Sequence, residues 1–132
     1  MISIVIPSRN DDIEVFQKTI NAIKNQTVLP KEIIIVDSST DNSIKNFLQN
    51  QKFKLINLIY KKIDGSFAGK STNIGMSLAT QKFIGLLDTK TIPNGTWIEK
   101  YLKQLERDNS DLIFGNTKFF SKNRFQKILR IL

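Results

Sequence analysis

The chain of 132 residues contains neither cysteine nor histidine. The absence of cysteine excludes disulfides, thiolate nucleophiles and cysteine zinc sites. The absence of histidine excludes a Ser-His-Asp triad and histidine metal centres. Any catalysis must therefore use carboxylates, hydroxyls, amides, lysine or a hard cation held by carboxylates.

Long hydrophobic runs and acidic residues are also scarce. No stretch approaches the roughly 18 apolar residues of a membrane-spanning helix, and the N-terminus lacks the basic and apolar regions of a signal peptide. Twelve Asp and Glu against 20 Lys and Arg give a formal net charge of +8. Such a surface attracts phosphate, nucleic acid or anionic lipid, although a lysine-rich solvated surface needs no partner.

Short apolar segments alternate along the chain with segments of helical periodicity. The alternation predicts an α/β domain with a mostly parallel, Rossmann-like sheet, strand order 3-2-1-4, and helices on both faces. Predicted strands cover 2–6, 32–36, 55–60, 83–87 and 111–114. The helices between them include a short one over about 72–79, after a flexible connection over 65–71, and another whose first turn contains Pro93.

The strand over 83–87 ends in an acid, Asp88. Its continuous apolar run predicts a strand covered on both faces. The second strand also ends in an acid, Asp37, and the first strand leads into a polar loop at Ser8. Ligands of open parallel sheets bind beyond the carboxyl ends of the strands, where the strand order reverses. We therefore expect these residues to gather at one edge around a crevice.

Four segments in series resemble the family-2 glycosyltransferases, which have the nucleotide-diphosphate-sugar fold known as GT-A. They are 4–10, 32–41, 69–75 and 83–88, and the resemblance runs from Met1 to about Leu105. It implies that residues 1–115 form a nucleotide-sugar-binding GT-A half. It also implies an inverting transfer from a nucleotide-diphosphate sugar, expected to be UDP-linked, to an unidentified acceptor, and a role in cell-envelope polysaccharide.

The resemblance also implies which residues bind the nucleotide. In that family the first loop and the acid after the second strand hold the base, and the 69–75 segment covers the sugar donor. The expected nucleotide-binding residues are Pro7, Ser8, Arg9, Asn10, Asp37, Lys70, Asn73, Asp88 and Lys90. Arg9 stands where the family often has an aromatic residue, and its guanidinium can also stack on a base. Two alternatives stay open: Asp37 as a helix cap and Lys70 as a solvated side chain.

Asp88-Thr89-Lys90 departs from the family pattern Asp-x-Asp. The first acid of that pattern commonly contacts the ribose, and the last binds the divalent ion that bridges the diphosphate. One carboxylate and a lysine make a weak site for Mg²⁺ or Mn²⁺. Either Lys90 neutralises the diphosphate without metal, or the site is degenerate and the protein is a non-catalytic nucleotide-sugar-binding module; Lys90 pointing to water is the third alternative.

The end of the chain carries a separate set of expectations. The family's general base is expected beyond Leu132, so transfer by this chain alone is not expected. Residues 116–132 are predicted to begin a missing acceptor half. Within them, residues 122–132 are predicted to form a basic amphipathic helix, which would allow contact with the inner face of a membrane from the cytoplasm. The same apolar face can instead pack on the domain or on a second copy in a homodimer.

Two further hypotheses are weaker. Gly69-Lys70-Ser71 ends like a phosphate-binding Walker loop, but Asp64 stands where that motif needs its first glycine. The net charge is the sole feature that favours nucleic acid, because no aromatic platform with interleaved arginines is present. No nucleic-acid partner is therefore predicted.

Overall fold

The computed structural model describes residues 1–118. Four strands form one parallel sheet in the order β3-β2-β1-β4, which confirms the predicted fold and strand order. The elements are β1 (Ile2–Ser8), α1 (Ile13–Lys24), β2 (Glu32–Asp37), α2 (Ser43–Gln49), β3 (Asn57–Lys62), α3 (Ala68–Leu78), β4 (Phe83–Leu86) and α4 (Trp97–Asp108). Within the described part, no helix has the length and apolar character needed to cross a bilayer.

Side chains of β1 and β2 point alternately to two cores. In the larger core, isoleucines of both strands pack against α1, α2 and α4. The helices contribute residues such as Phe16 of α1 and Ile98 of α4. The smaller core lies on the other face, where Val5, Ile34 and Val36 pack against α3. Helices therefore cover both faces of the central strands, as the alternating pattern predicts.

The predicted fifth strand over 111–114 is wrong. This segment is irregular, and the side chains of Leu112 and Phe114 are exposed. An extended segment becomes a β-strand only when its backbone N–H and C=O groups form hydrogen bonds with a neighbouring strand. The four-stranded sheet does not pair with this segment. Apolar residues alone could not reveal that the partner is missing.

The prediction that the fourth strand is covered on both faces is also wrong. One face of β4 packs on the larger core, where Gly85 lies against Ile4 and Trp97. On the other face Ile84 and Leu86 are 40% and 52% exposed. The reason is position, because β4 is an edge strand and α3 packs over β1 and β2 instead.

Several element boundaries differ from the predictions. β1 continues through Ser8 instead of stopping before Pro7, and β3 starts at Asn57 because the backbone of Leu55 is left-handed, with φ 62°. α3 starts at Ala68, so most of the expected flexible connection is ordered or helical. Pro93 does not lie in a helix, since α4 begins only at Trp97.

Gly75 lets α3 approach β1 closely. A Cβ atom at this position would overlap the side chain of Val5, whereas a Cβ at Gly69 of the same helix meets nothing within 4 Å. We expect Gly75→Ala to lower the free energy of unfolding by about 1–3 kcal/mol, as other overpacked cores do. Gly69→Ala should raise it by about 0.5–1 kcal/mol, because alanine is the better helix former. Urea unfolding of both variants measures this contrast, and equal effects would contradict the proposed close packing.

Candidate functional site

Pro7 marks the point where β1 and β4 separate. The last bond between the two strands runs from the Leu87 amide to the Val5 carbonyl. Backbone groups alternate sides along a strand, so the missing N–H of Pro7 falls on the β4 side, two residues beyond Val5. Proline therefore costs no sheet hydrogen bond here, and the strands diverge into a crevice.

The crevice lies at the carboxyl ends of β1 and β4, where the strand order reverses, as expected from the sequence. Its volume is about 140 Å³. Small-molecule sites usually measure roughly 300–1,000 Å³, so a nucleotide sugar in the crevice would extend beyond it. The lining residues are Pro7, Ser8, Arg9, Asp11, Ser38, Ala68, Ser71, Asp88, Thr89 and Lys90.

The loop after β1 is held by its own side chains. Asp11 Oδ2 accepts hydrogen bonds from Ser8 Oγ (2.9 Å) and from the Arg9 amide (3.0 Å). Asn10 adopts a left-handed backbone with φ 51°, and its Oδ1 accepts from the Thr40 amide at 2.9 Å. These bonds present Arg9 at the crevice without occupying its guanidinium.

Buried serines tie three segments together beneath the crevice. Ser38 donates its amide to the carbonyl of Ser8 (2.9 Å), which joins the ends of β1 and β2. The Ser38 hydroxyl lies 3.1 Å from the carbonyl of Ser66, in the loop that enters α3. Ser71 in the first turn of α3 contacts the Ser66 hydroxyl at 3.4 Å. The start of α3 is thereby positioned against the strand ends.

Arg9 and Phe67 form a cation–π pair beside the crevice. The guanidinium carbon of Arg9 lies 5.3 Å from the centre of the Phe67 ring. Phe67 is 77% exposed, so hydrophobic burial does not account for its position. The pair presents a flat cationic group and an aromatic face, both of which stack on planar rings.

The N-terminus of α3 opens towards the same place. Ala68 and Ser71 of its first turn line the crevice, and the N-cap residue Phe67 supplies no side-chain acceptor to the helix amides. The first amides of a helix have no partner within the helix and favour anions. This end of α3 can therefore receive a phosphate oxygen.

Asp88 and Lys90 lie in a tight turn after β4. Asp88 Oδ1 accepts from the Lys90 amide at 2.7 Å, and the carbonyl of buried Thr89 accepts from Thr19 Oγ1 of α1 at 2.7 Å. Both charged side chains are exposed and line the crevice. Among residues 1–118, no carboxylate lies within 4 Å of the Lys90 ammonium, which leaves that charge available to an anion.

The donor set at the crevice fits a divalent metal poorly. Asp88 is the carboxylate that faces the opening, while Asp11 Oδ2 already accepts two hydrogen bonds. In the described part of the chain, no three acidic side chains cluster as metal ligands do. Magnesium bound through few carboxylates relies on substrate phosphates for its other ligands, and Lys90 repels a cation at this position.

Asp37 is buried at the end of β2, with its side chain fully inaccessible. Its oxygens accept from the Ser39 amide (2.9 Å), Tyr60 Oη (2.8 Å) and Lys62 Nζ (3.2 Å). Burial alone would raise the pKa of Asp37, but these hydrogen bonds outweigh it and hold the pKa below the ordinary value. Because the Asp37 side chain is inaccessible, a direct bond to a base requires a covering side chain to move, and Tyr60 and Lys62 are both partly exposed.

The crevice brings some expected residues together and leaves others outside. Pro7, Ser8, Arg9, Asp88 and Lys90 line it, whereas Asn10, Asp37, Lys70 and Asn73 do not. Lys70 and Asn73 are exposed on α3, while Ser71 and Gly75 of the same helix are buried. The expected helix over 122–132 lies outside the described residues.

Sequence reasoning missed several crevice residues. Asp11, Ser38, Ser71 and Thr89 line the opening, and Phe67 stands beside it. Ser38 and Thr89 directly follow the strand-end acids, and this position in the sequence could have identified them as crevice residues. Nothing local distinguishes Phe67 from a core residue, because its exposure depends on where α3 begins.

Solved structures share this fold. The structure of S. aureus TarS in complex with UDP-GlcNAc superimposes with a TM-score of 0.72 at 21% identity, over 83% of this chain and 32% of that chain. The TarS structure in complex with UDP gives 0.68 at the same identity. At this identity the likeness shows the GT-A fold alone.

Proteins that are similar in sequence include glycosyltransferases. Hyaluronan synthase of Pasteurella multocida is 31% identical over 98 residues, which are 74% of this chain and 10% of that protein. Chondroitin synthase of the same species is 28% identical over 120 residues, which are 89% of this chain and 12% of that protein. This chain therefore spans about a tenth of the length of both synthases. The family model described as Glycosyl transferase family 2 matches residues 3–132. Since that match covers nearly every residue, the chain belongs to glycosyl transferase family 2.

Proposed function

We propose that the crevice binds the nucleotide part of a UDP-linked sugar, as the donor site of a family-2 glycosyltransferase. The observation that carries this proposal is the meeting of Arg9, the α3 N-terminus, Asp88 and Lys90 at the strand-order reversal. Arg9 would stack on the planar base and Asp88 would bind the ribose. Lys90 and the α3 N-terminus would bind the diphosphate. The TarS complexes with UDP and UDP-GlcNAc support the choice of nucleotide.

The base belongs at the Arg9 end of the crevice. Arg9 and Phe67 offer stacking surfaces, and loop backbone groups after β1 can bond the edge of the base. With 5.3 Å between guanidinium and ring centre, a base either stacks on the outside of the pair or separates the two side chains. Phe67 would then supply the aromatic surface that the family often places at position 9.

The phosphates belong between Lys90 and the α3 N-terminus. Lys90 is a mobile point charge that can neutralise a diphosphate, and the helix amides add partial positive charge. Asp88 accepts hydrogen bonds from ribose hydroxyls. In this arrangement Lys90 supplies the charge that a metal ion supplies in proteins with two acids, so nucleotide binding does not require Mg²⁺ or Mn²⁺.

The proposed reaction of the whole protein is sugar transfer with inversion. An acceptor hydroxyl loses its proton to a general base and attacks the sugar carbon, while the bond from that carbon to the diphosphate breaks. Lys90 and the helix amides would stabilise the charge on the departing UDP. The general base and acceptor site are proposed to lie outside this chain.

A second candidate function is a nucleotide-sugar-binding module without transfer activity. Lys90 in place of the second acid is the observation that favours it. Both candidates share the same nucleotide site, and they differ in whether the whole protein, of which this chain is proposed to be the donor-binding part, transfers sugar from UDP-GlcNAc to an acceptor. Measured transfer by the 132-residue chain would contradict the expectation that it does not act alone.

Thermal unfolding with UDP, ADP and GDP tests the site. A ligand that binds only the folded state raises stability by mass action, and we expect UDP at a hundredfold excess over its Kd to raise Tm by about 8 °C. ADP and GDP should have little effect. Phe67→Ala should weaken UDP binding, whereas Phe114→Ala, which removes an aromatic side chain that is also exposed, should not. No shift with any nucleotide, or equal shifts with all three, would contradict the proposal.

A further inference from the structure

A second hollow, larger than the crevice, lies at the opposite end of the sheet. It measures about 310 Å³ and is formed where α1 ends and where the chain enters β2 and β3. We call it the basic hollow; its lining includes Lys24, Leu29, Lys52, Lys54, Leu55 and Ile56. The lining contains three lysines and no acidic residue, so its field is positive.

Leu55 is the unusual residue of the basic hollow. Its side chain is 87% exposed, and its backbone is left-handed with φ 62°. A left-handed conformation costs a non-glycine residue roughly 1–2 kcal/mol. This backbone conformation therefore lowers the stability of the fold, and it leaves an apolar side chain exposed to water. A glycine or asparagine would be the favourable residue at such a turn.

The surroundings of Leu55 extend this surface. Val28 and Leu29, in the loop before β2, are each 37% exposed. Lys52 and Lys54 precede Leu55 and are exposed, and so is Lys31, immediately before β2. The surface therefore combines exposed apolar side chains with exposed ammonium groups.

Lys24 is held in place at the rim. Its ammonium group bonds Gln51 Oε1 at 3.1 Å and lies 5.2 Å from the centre of the Phe53 ring. These contacts link the end of α1 to the loop before β3. Among residues 1–118, no carboxylate lies within 4 Å of the ammonium group of Lys24, Lys52 or Lys54.

We propose that the basic hollow is a contact surface for an anionic lipid bilayer. Apolar side chains that enter the interface gain by burial, and lysines near an anionic surface each contribute about 1 kcal/mol. A protein partner fits less well, because the centres of protein interfaces are depleted of lysine. The crevice at the other end of the sheet would then face away from the bilayer and stay open to nucleotides in solution.

Vesicle co-sedimentation tests this surface in the full 132-residue chain. We expect binding to vesicles that contain one third phosphatidylglycerol, weaker binding as salt rises, and no binding to pure phosphatidylcholine. Lys52→Gln combined with Lys54→Gln should weaken binding about thirtyfold. Leu55→Gly should weaken it about tenfold or more. Leu55→Gly should not lower Tm, because glycine removes the side chain and relieves the backbone strain.

Matched controls separate this surface from net charge and from the chain end. Lys45→Gln combined with Lys61→Gln removes the same charge from exposed positions elsewhere, and Leu112→Ser removes another exposed leucine; both should bind like the parent chain. The proposal is overturned if the parent does not bind anionic vesicles, or if the lysine controls lose as much binding as the hollow variants. It is also overturned if only deletion of residues 122–132 abolishes binding.

Discussion

Replacing Asp37 by alanine is expected to lower the free energy of unfolding by about 3 kcal/mol. The substitution leaves the Ser39 amide and the Tyr60 hydroxyl without their acceptor, while the Lys62 ammonium keeps the carbonyl of Asp41. Losing one partner of a buried ion pair costs roughly 3–5 kcal/mol, and the lower end applies because Lys62 is partly exposed and can turn to water. Asp37→Asn keeps one oxygen for Ser39 and should cost about 1–2 kcal/mol.

The matched control is Asp64→Ala. Asp64 is exposed and makes no side-chain hydrogen bond or ion pair within residues 1–118, so its loss should change stability by less than about 0.5 kcal/mol. Urea unfolding at neutral pH measures all three variants. Equal stabilities of Asp37→Ala and Asp64→Ala would show that the buried cluster does not hold the ends of β2 and β3.

The same carboxylate makes stability depend on pH. The folded-state pKa of Asp37 lies below its ordinary value, while in the unfolded chain it is about 3.9. The unfolded state then binds more protons as the pH falls, so the stabilisation is complete above about pH 4 to 5 and is lost as the pH drops through the folded pKa. Buried Glu32 acts in the same direction. Asp37→Asn should therefore flatten, without abolishing, the loss of stability in acid.

Asp37→Asn also tests the expected base contact. The variant should remain folded well below its Tm, where the Kd for UDP can be measured directly. A loss of affinity greater than tenfold, with Tyr60 and Lys62 intact, would support a direct bond between Asp37 and the base. An unchanged Kd would assign Asp37 to holding the strand ends alone.

Lys90→Asp is expected to make UDP binding depend on metal. In the parent chain we expect Mn²⁺ to change the Kd for UDP little, because the Lys90 ammonium is proposed to supply the positive charge at the diphosphate. Removing a charge-assisted contact costs about 1.5–3 kcal/mol, which is about a ten- to hundredfold weaker Kd. The new carboxylate two residues after Asp88 should then recover most of that affinity when Mn²⁺ is added.

Calorimetric titration with and without Mn²⁺ separates the alternatives. Lys90→Met removes the charge without adding a ligand, so it should bind weakly in both conditions. Lys61→Met is the charge-matched control at an exposed position outside the crevice lining. A large gain in affinity of the parent chain on adding Mn²⁺ would contradict the role given to Lys90. If Lys90→Met binds UDP as tightly as the parent chain, the Lys90 side chain does not contact the diphosphate and points into solvent.

The sequence by itself determined the class of fold and the edge of the sheet at which the candidate site lies. Apolar runs such as Ile33–Val36 can be assigned to buried strands from the sequence, because strands covered on both faces must be apolar along their whole length. The alternation of such runs with helical segments leaves few topologies. The strand-end positions of Ser8, Asp37 and Asp88 follow from the same pattern, and so does the departure at Lys90.

Only the tertiary structure decided which side chains face the crevice. Asp37 and Asp88 both follow apolar strands, yet one is enclosed by donors from β3 and the other is open, because β2 is central and β4 is at the edge. The exposure of Leu86, the failure of residues 111–114 to form a strand and the approach of Phe67 to Arg9 depend equally on neighbours distant in sequence. Periodicity records which residues are apolar or polar, whereas accessibility depends on what packs beside them.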